Sequence, residues 1–382
     1  MSDKGDPVMR KLYLAVVLVF SCLVAVLAVA CAEEAVTDTS GGGAPDTALG
    51  GAVSTDTAPA TPTRPVVWTD LAPAGAVPAA RAGQALVYAE NVGKVILFGG
   101  WDGVDLNDTW AYDPVQNTWI DLAPAGEVPS ARHDHALAYD SAAGRIVLFG
   151  GISASDYMEL DDTWAYDPQA NTWTDLAPAG ALPQSRCLHS LVYDPVGQKV
   201  ILFGGSRRGG CLGDMWAYDP AANTWTELSL SGDKPLARYG CSLVYDPDLS
   251  KILLFGGSDG HLLGDTWAYD PAVNQWGNLL SVDSTAIKPA AREFYAMAYE
   301  SENRRTVVFG GCGVTALGDA WAYDSATNAW TSLEPGEEAP SARTFTSMVY
   351  ATGVGRLLLF GGSEAVAASS PVGDTWSCDL TP

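Results

Sequence analysis

Positive charge is what this sequence has least of. Twenty-one Lys and Arg stand against 45 Asp and Glu, a formal net charge of -24, so a nucleic-acid backbone or an anionic bilayer surface would repel the bulk of the chain. Histidine is also scarce, at four residues, and no CxxC or Cys/His pair at zinc-site spacing occurs. The Gly-x-Ser-x-Gly elbow, the P-loop and the dinucleotide fingerprint are all missing; the glycine pairs sit at strand ends rather than at strand-to-helix turns. Of seven cysteines, Cys22 and Cys31 belong to the N-terminal segment, which leaves Cys187, Cys211, Cys241, Cys312 and Cys378. That odd set reads as oxidised pairs with a leftover thiol rather than as a structural metal site. What is abundant is Gly (40), Trp (13) and Tyr (15), with only 17% charged residues. Such a chain is rich in turns and strand-forming aromatics, and is not a disordered one.

The N-terminus reads as an address. Lys4, Arg10 and Lys11 precede an uncharged run from Leu12 to Ala30, followed by Cys31, the charged, apolar, small-residue order of an export signal. Leu27-Ala-Val-Ala-Cys31 resembles a bacterial lipobox, with Leu27 one position further out than that motif's usual leucine. The resemblance implies cleavage and lipidation at Cys31. Ala28 and Ala30 equally suit ordinary cleavage without lipid, and the run is just long enough for an uncleaved anchor. Residues 1–31 are therefore read as signal peptide and lipobox. Residues 32–65, almost devoid of large apolar side chains, are read as a disordered linker, and 66–382 as the folded part. The expected location is exported, at the cell surface or in the periplasm.

Self-comparison reveals six repeats. Phe-Gly-Gly recurs at Phe98, Phe149, Phe203, Phe255, Phe309 and Phe360. Each unit opens with an Arg (Arg81, Arg132, Arg186, Arg238, Arg292, Arg343) and carries an Asp-x-Trp after the glycines (Asp108, Asp162, Asp214, Asp265, Asp319, Asp374). In five units a second Trp follows nine residues after the first. Between them, Tyr-Asp-Pro-x-x-Asn supplies a tight turn. A unit reads as four antiparallel strands, the first alternating and the second nearly all apolar. Both faces of such a sheet are greasy, so six must pack around an axis, which predicts an all-β, six-bladed propeller. Trp68-Thr-Asp-Leu71 is a fourth strand without its unit, while the last unit lacks one. The segment from Val66 to Leu71 is therefore expected to close the final blade.

The apolar run, Gly-Gly, Tyr and Trp, repeated over residues 66 to 382, are similar to the kelch repeat, and the chain resembles that β-propeller family, the central domain of galactose oxidases among its members. The chain departs from galactose oxidase in having six blades instead of seven and no extra domain to supply a ligand. Tyr239 and Cys241 alone therefore imply no cross-linked copper cofactor.

Residues present in every blade are read as structural, which covers the six Arg and six Asp. Residues present once are free for function. The loops entering the first strand and joining the second to the third share a face, which gathers Trp101, His133, Asp134, His135, His189, Arg207, Arg208, Tyr239, His261, Glu293 and Tyr295, with Asp156 and Tyr157 in a longer loop. This pore-mouth face is the expected binding site. His133, His135 and His189 are weak candidates for zinc or copper; no metal or other cofactor is expected. Similarity to exported kelch propellers that epimerise N-acetylneuraminate implies that Arg207, Arg208, Arg292 and Glu293 could hold a carboxylate and move a proton. Two of Cys187, Cys211 and Cys241 are expected to form a disulfide. The function read from all this is a membrane-tethered, monomeric module binding a protein or a glycan and no nucleic acid, with a carbohydrate-active oxidase or epimerase as the alternative.

Overall fold

A computed structural model describes residues 63–153, 158–282, 284–336 and 338–380, and those from 63 onward form one compact unit. The expected signal peptide, Cys31, most of the linker, Asp156 and Tyr157 lie outside the described residues. Every regular element among the described residues is a strand. Blade 1 is built from Ala85–Ala89, Lys94–Trp101, Asp105–Asp113 and Thr118–Asp121, paired antiparallel in that order. Four more blades repeat the plan, entered by the inner strands Ala136–Asp140, Ser190–Asp194, Ser242–Asp246 and Ala296–Glu300. The sixth uses Ser347–Ala351, Arg356–Phe360, Thr375–Leu380 and, as its outer strand, Thr63–Asp70. Each inner strand packs against the inner strand of the next blade, and the sixth against the first, so the six sheets are arranged radially in a closed ring.

The second strand of each blade is covered on both faces, as its unbroken apolar run requires: Ile146, Val147, Leu148 and Phe149 are all buried. Neighbouring blades are stitched by polar bonds that the repeat carries in register. Trp119, Trp173, Trp225 and Trp330 each donate their indole N–H to a threonine hydroxyl of the preceding blade, Thr375, Thr109, Thr163 and Thr266. Met215 occupies that threonine position in blade 3, and the buried Trp276 indole N–H accordingly has no partner.

The closing strand does more than the sequence implied. Val66 to Asp70 run antiparallel to Trp376–Leu380 of blade 6, while Thr63 to Val66 run parallel to Ser332–Pro335 of blade 5. The strand thus starts three residues before the expected domain boundary and joins two blades into one eight-stranded sheet. Its burial alternates as a half-covered strand must, with Val66 and Trp68 in the core and Val67 exposed.

Candidate functional site at the pore mouth

The chain enters each inner strand through three residues that follow the repeated Arg. The Arg itself is locked. Arg132 is fully buried, with Nη1 and Nη2 each 2.6 Å from the Asp162 carboxylate and Nη1 also donating to Gly150 O. Asp162 in turn accepts the Trp164 indole N–H at 2.8 Å. The other five Arg and Asp repeat this bidentate pairing. In blades 1, 3, 4, 5 and 6 the guanidinium holds the Asp carboxyl below the usual carboxylate range, although burial alone would raise it. Arg292 is bound to Asp319 in this way, so it cannot take up the substrate carboxylate that an epimerase-like site would need.

The middle residue of each triplet forms a ring. Asp134 donates its N–H to Gly83 O, Leu188 to Asp134 O, Gly240 to Leu188 O, Phe294 to Gly240 O, Phe345 to Phe294 O, and Gly83 to Phe345 O, all between 2.8 and 3.2 Å. All six have left-handed backbones, from φ 53° at Phe345 to 65° at Gly83. Glycine adopts this conformation freely, whereas for Phe294 and Phe345 it is a strained one. Of these positions the sequence singles out only Asp134. Nothing in a phenylalanine announces a positive φ, and the only signal was two glycines in register at one loop position.

The third residue of each triplet turns into the wall against the Phe of the blade before it. Gln84 donates Nε2–H to Phe360 O, and the Tyr295 hydroxyl donates to Phe255 O. His135 and His189 set their rings edge-on to Phe98 and Phe149, at centroid distances of 5.4 and 5.5 Å. Burial drives His135 well below the normal imidazole range and His189 down to about 3, with Arg132 and Arg186 respectively pushing the same way. Both rings are neutral at pH 7. The Phe98 and Phe149 carbonyls pull in the opposite direction, yet no ring nitrogen reaches hydrogen-bond geometry. His133, two residues from His135, belongs to the outer lip, because the left-handed Asp134 between them breaks the extended alternation that would put both on one face. Among the described residues, no group of three or more His, Cys, Asp and Glu is placed to hold a metal ion.

The first residue of each triplet sits at that lip. His133 shares 2.6 Å between Nδ1 and Asp105 Oδ1, and its Nε2 lies 3.7 Å from Asp134 Oδ2. Burial works against the imidazolium, but the two carboxylates outweigh it and raise the His133 pKa. Asp134 is itself pushed up by burial and by Asp105. Three blades further round, burial raises the Glu293 carboxyl to about 7 against a hydrogen bond from Ser258. Glu293 Oε2 is buried without a partner, and its charge together with burial lifts Tyr239 to about 12.

Other candidates lie elsewhere. Arg207 turns outward to Ser185 Oγ and Gln184 Oε1, and Arg208 is fixed through its backbone N–H to Glu159, so no pair of arginines faces the mouth. His261 is a hairpin tip with 93% of its side chain exposed, 3.6 Å from Asp259. Trp101 prolongs the second strand of blade 1 and bridges Ala82. The expected disulfide is absent: Cys187, Cys211 and Cys241 are free thiols, as are Cys312 and Cys378. Cys187 and Cys211 point instead at the Ser206 and Ser258 carbonyls, and Cys241 is walled into the core of blades 3 and 4.

What remains at the mouth is a cavity of about 130 Å³ that takes a residue or two from every blade, among them Asp134, His135, His189, Phe294, Tyr295 and Phe345. The KLHDC2/KLHL20/DRC7 Kelch-repeats domain matches residues 41–195 and 122–292, and the Attractin/LZTR1 beta-propeller matches 208–380. The chain is a kelch-repeat β-propeller. Kelch relatives include Tip elongation aberrant protein 1 of Schizosaccharomyces pombe, 29% identical over 48% of this chain and 16% of its own length. Kelch-like protein 35 of Mus musculus is 27% identical over 48% of the chain and 29% of its own length. N-(sulfonatooxy)prop-2-enimidothioate sulfolyase of Thlaspi arvense is 28% identical over 75% of the chain and 90% of its own length. The chain thus spans less than a third of the yeast and mouse relatives and nearly all of the plant one.

Proposed function

We propose that this kelch propeller is a protein-binding module working through its pore-mouth face. One observation carries the reading. Of the thirteen large apolar side chains left exposed among the described residues, Val104 (63%), Met158 (53%) and Val314 (64%) are on the loops joining second to third strands, and Val77, Leu182, Leu236, Val282 and Ile287 are on the connections between blades, against three, Val115, Val196 and Val273, on the turns of the opposite face. Both sets of loops open on the mouth face, so an apolar rim encircles a polar centre, which suits a macromolecular interface. The N-terminal signal and Cys31 support export and a lipid tether that would present this face outside the cytoplasm. In-cell cross-linking and capture with the full chain tests the reading. Wild type is expected to retain a protein partner that Val104→Asp with Val314→Asp loses. Capture unchanged by both rim charges overturns it, and a positive glycan array without protein capture replaces the partner class.

A second reading rests on Glu293 alone. A buried carboxyl near pH 7 with a partnerless oxygen, beside Tyr239 and Ser258, has the properties of a general acid or base. The length-spanning similarity to a plant sulfolyase keeps catalysis as the competitor to binding. No cofactor enters either reading.

A further inference from the structure

The side chains of the mouth ring all lean the same way. A Cβ placed on Gly83 would stand 2.5 Å from Asp134 Oδ1, and one on Gly240 would stand 2.8 Å from the Phe294 ring. Each ring residue thus lies over the ring residue of the preceding blade. Phe345 obeys by stacking on Phe294, with centroids 4.2 Å apart and planes at 17°. Gly83, next in order, has no side chain with which to cover Phe345. A phenyl group and the Asp134 carboxylate therefore flank the space above one glycine, and all three line the same cavity.

The polar groups around that space are acceptors. Gln84 Oε1 and the ring nitrogens of neutral His135 and His189 are unpartnered but sealed in the wall, so no positive charge from the lining competes for the cavity. The Tyr295 and Thr346 hydroxyls already donate to the Phe255 and Phe360 carbonyls. Charge has a definite sign here too. Asp105 and Asp134 bring two carboxyl groups to the single imidazole of His133. An aromatic face and an acidic side chain in a lining that holds no Lys or Arg suit a compact cation on an apolar stem. A guanidinium needs a coplanar pair of acceptors. Of the Asp134 pair, Oδ2 already faces His133 Nε2 at 3.7 Å, which leaves the single-point contact that an ammonium makes.

We propose that the mouth takes the ammonium of a lysine side chain presented by a partner protein, held above Gly83 between the Phe345 ring and the Asp134 carboxylate. The cavity has room for a side-chain end, so the apolar rim meets the body of the partner while the lysine anchors its centre, where binding energy concentrates. The strained backbones of Phe294 and Phe345 agree with a site held ready for a ligand. The inference rests on the protein-binding reading and specifies its chemistry.

Proton NMR of the peptide acetyl-Gly-Gly-Lys-Gly-Gly-amide titrated with the full chain tests it, beside the Nε-acetylated peptide and zinc chloride. The lysine ε-methylene is expected to shift upfield in the Phe345 ring current, and the acetylated peptide is expected not to bind. Asp134→Asn and Phe345→Leu are each expected to weaken binding by about tenfold or more, while Phe345→Tyr, which keeps the face and controls for folding, retains it. Equal binding of the acetylated peptide, no upfield shift, or zinc binding lost on His135→Ala in place of peptide binding overturns the proposal. A captured partner that the rim charges release but Asp134→Asn does not also overturns it, and leaves the protein-binding reading standing. Peptide binding with no capturable partner overturns that reading instead, and with it the partner named here.

Discussion

Single side chains in this propeller divide by how often they recur. Arg132 and its five equivalents recur and are consumed by the fold, each carboxylate filled by a guanidinium and, on one oxygen, an indole N–H as well. Glu293 occurs once and has no such partner. Its folded pKa of about 7 stands above the ordinary 4.5 because burial disfavours the charge. The unfolded chain therefore releases this proton first as pH rises, and stability falls between about pH 4.5 and 7 and then levels. Glu293→Gln, which cannot ionise, is expected to melt like wild type near pH 4 and to be more stable near pH 8, by about 2–3 kcal/mol. Equal melting temperatures at both pH values would refute a carboxyl held in this way. His133 shows the reverse balance, since two carboxylates overcome its desolvation.

At the scale of strands, the sequence carried nearly the whole architecture, because the same aromatic and glycine positions return in every blade and only a radial stack covers both faces of each second strand. Trp68 standing alone and Trp376 lacking its companion also showed where the ring closes. The parallel half of that closure was not legible. Thr63, Arg64 and Pro65 look like the rest of the linker, and they become a strand only because the edge of Ala329–Pro335 is there to receive them. The site was legible by loop more than by residue: the triplets were identified, but of their middle members only Asp134 was picked out, and Arg207 was placed at a mouth from which it turns away. Deleting the chain through residue 71 removes an outer strand and Trp68 from the core and uncovers two strand edges. The melting temperature of that variant is expected to fall by well over about 5 °C, with aggregation on heating, in a scanning calorimeter. An unchanged transition would show that the strand is ornamental.

For the molecule as a whole, a charge of -24 means that the folded body repels itself. The ion pairs that count are the buried Arg–Asp bridges, which salt screens little, whereas surface pairs such as Arg356–Asp379 contribute little at any salt. Raising sodium chloride from about 0.01 M to about 0.15 M, which shortens the screening length from ~30 to ~8 Å, is therefore expected to raise the melting temperature. A fall would mean that attraction between surface charges outweighs their repulsion.

The strand Thr63–Asp70 finds its antiparallel partner in Thr375–Leu380, at the far end of the chain. Five blades are assembled from neighbours in sequence and are free to form as they emerge from the ribosome. The sixth has to wait for Thr375–Leu380 to be synthesised, and the half of Thr63–Asp70 that pairs with them has to stay unpaired until they arrive. The circle is thus completed once, when Thr63–Asp70 and Thr375–Leu380 meet across all the other blades.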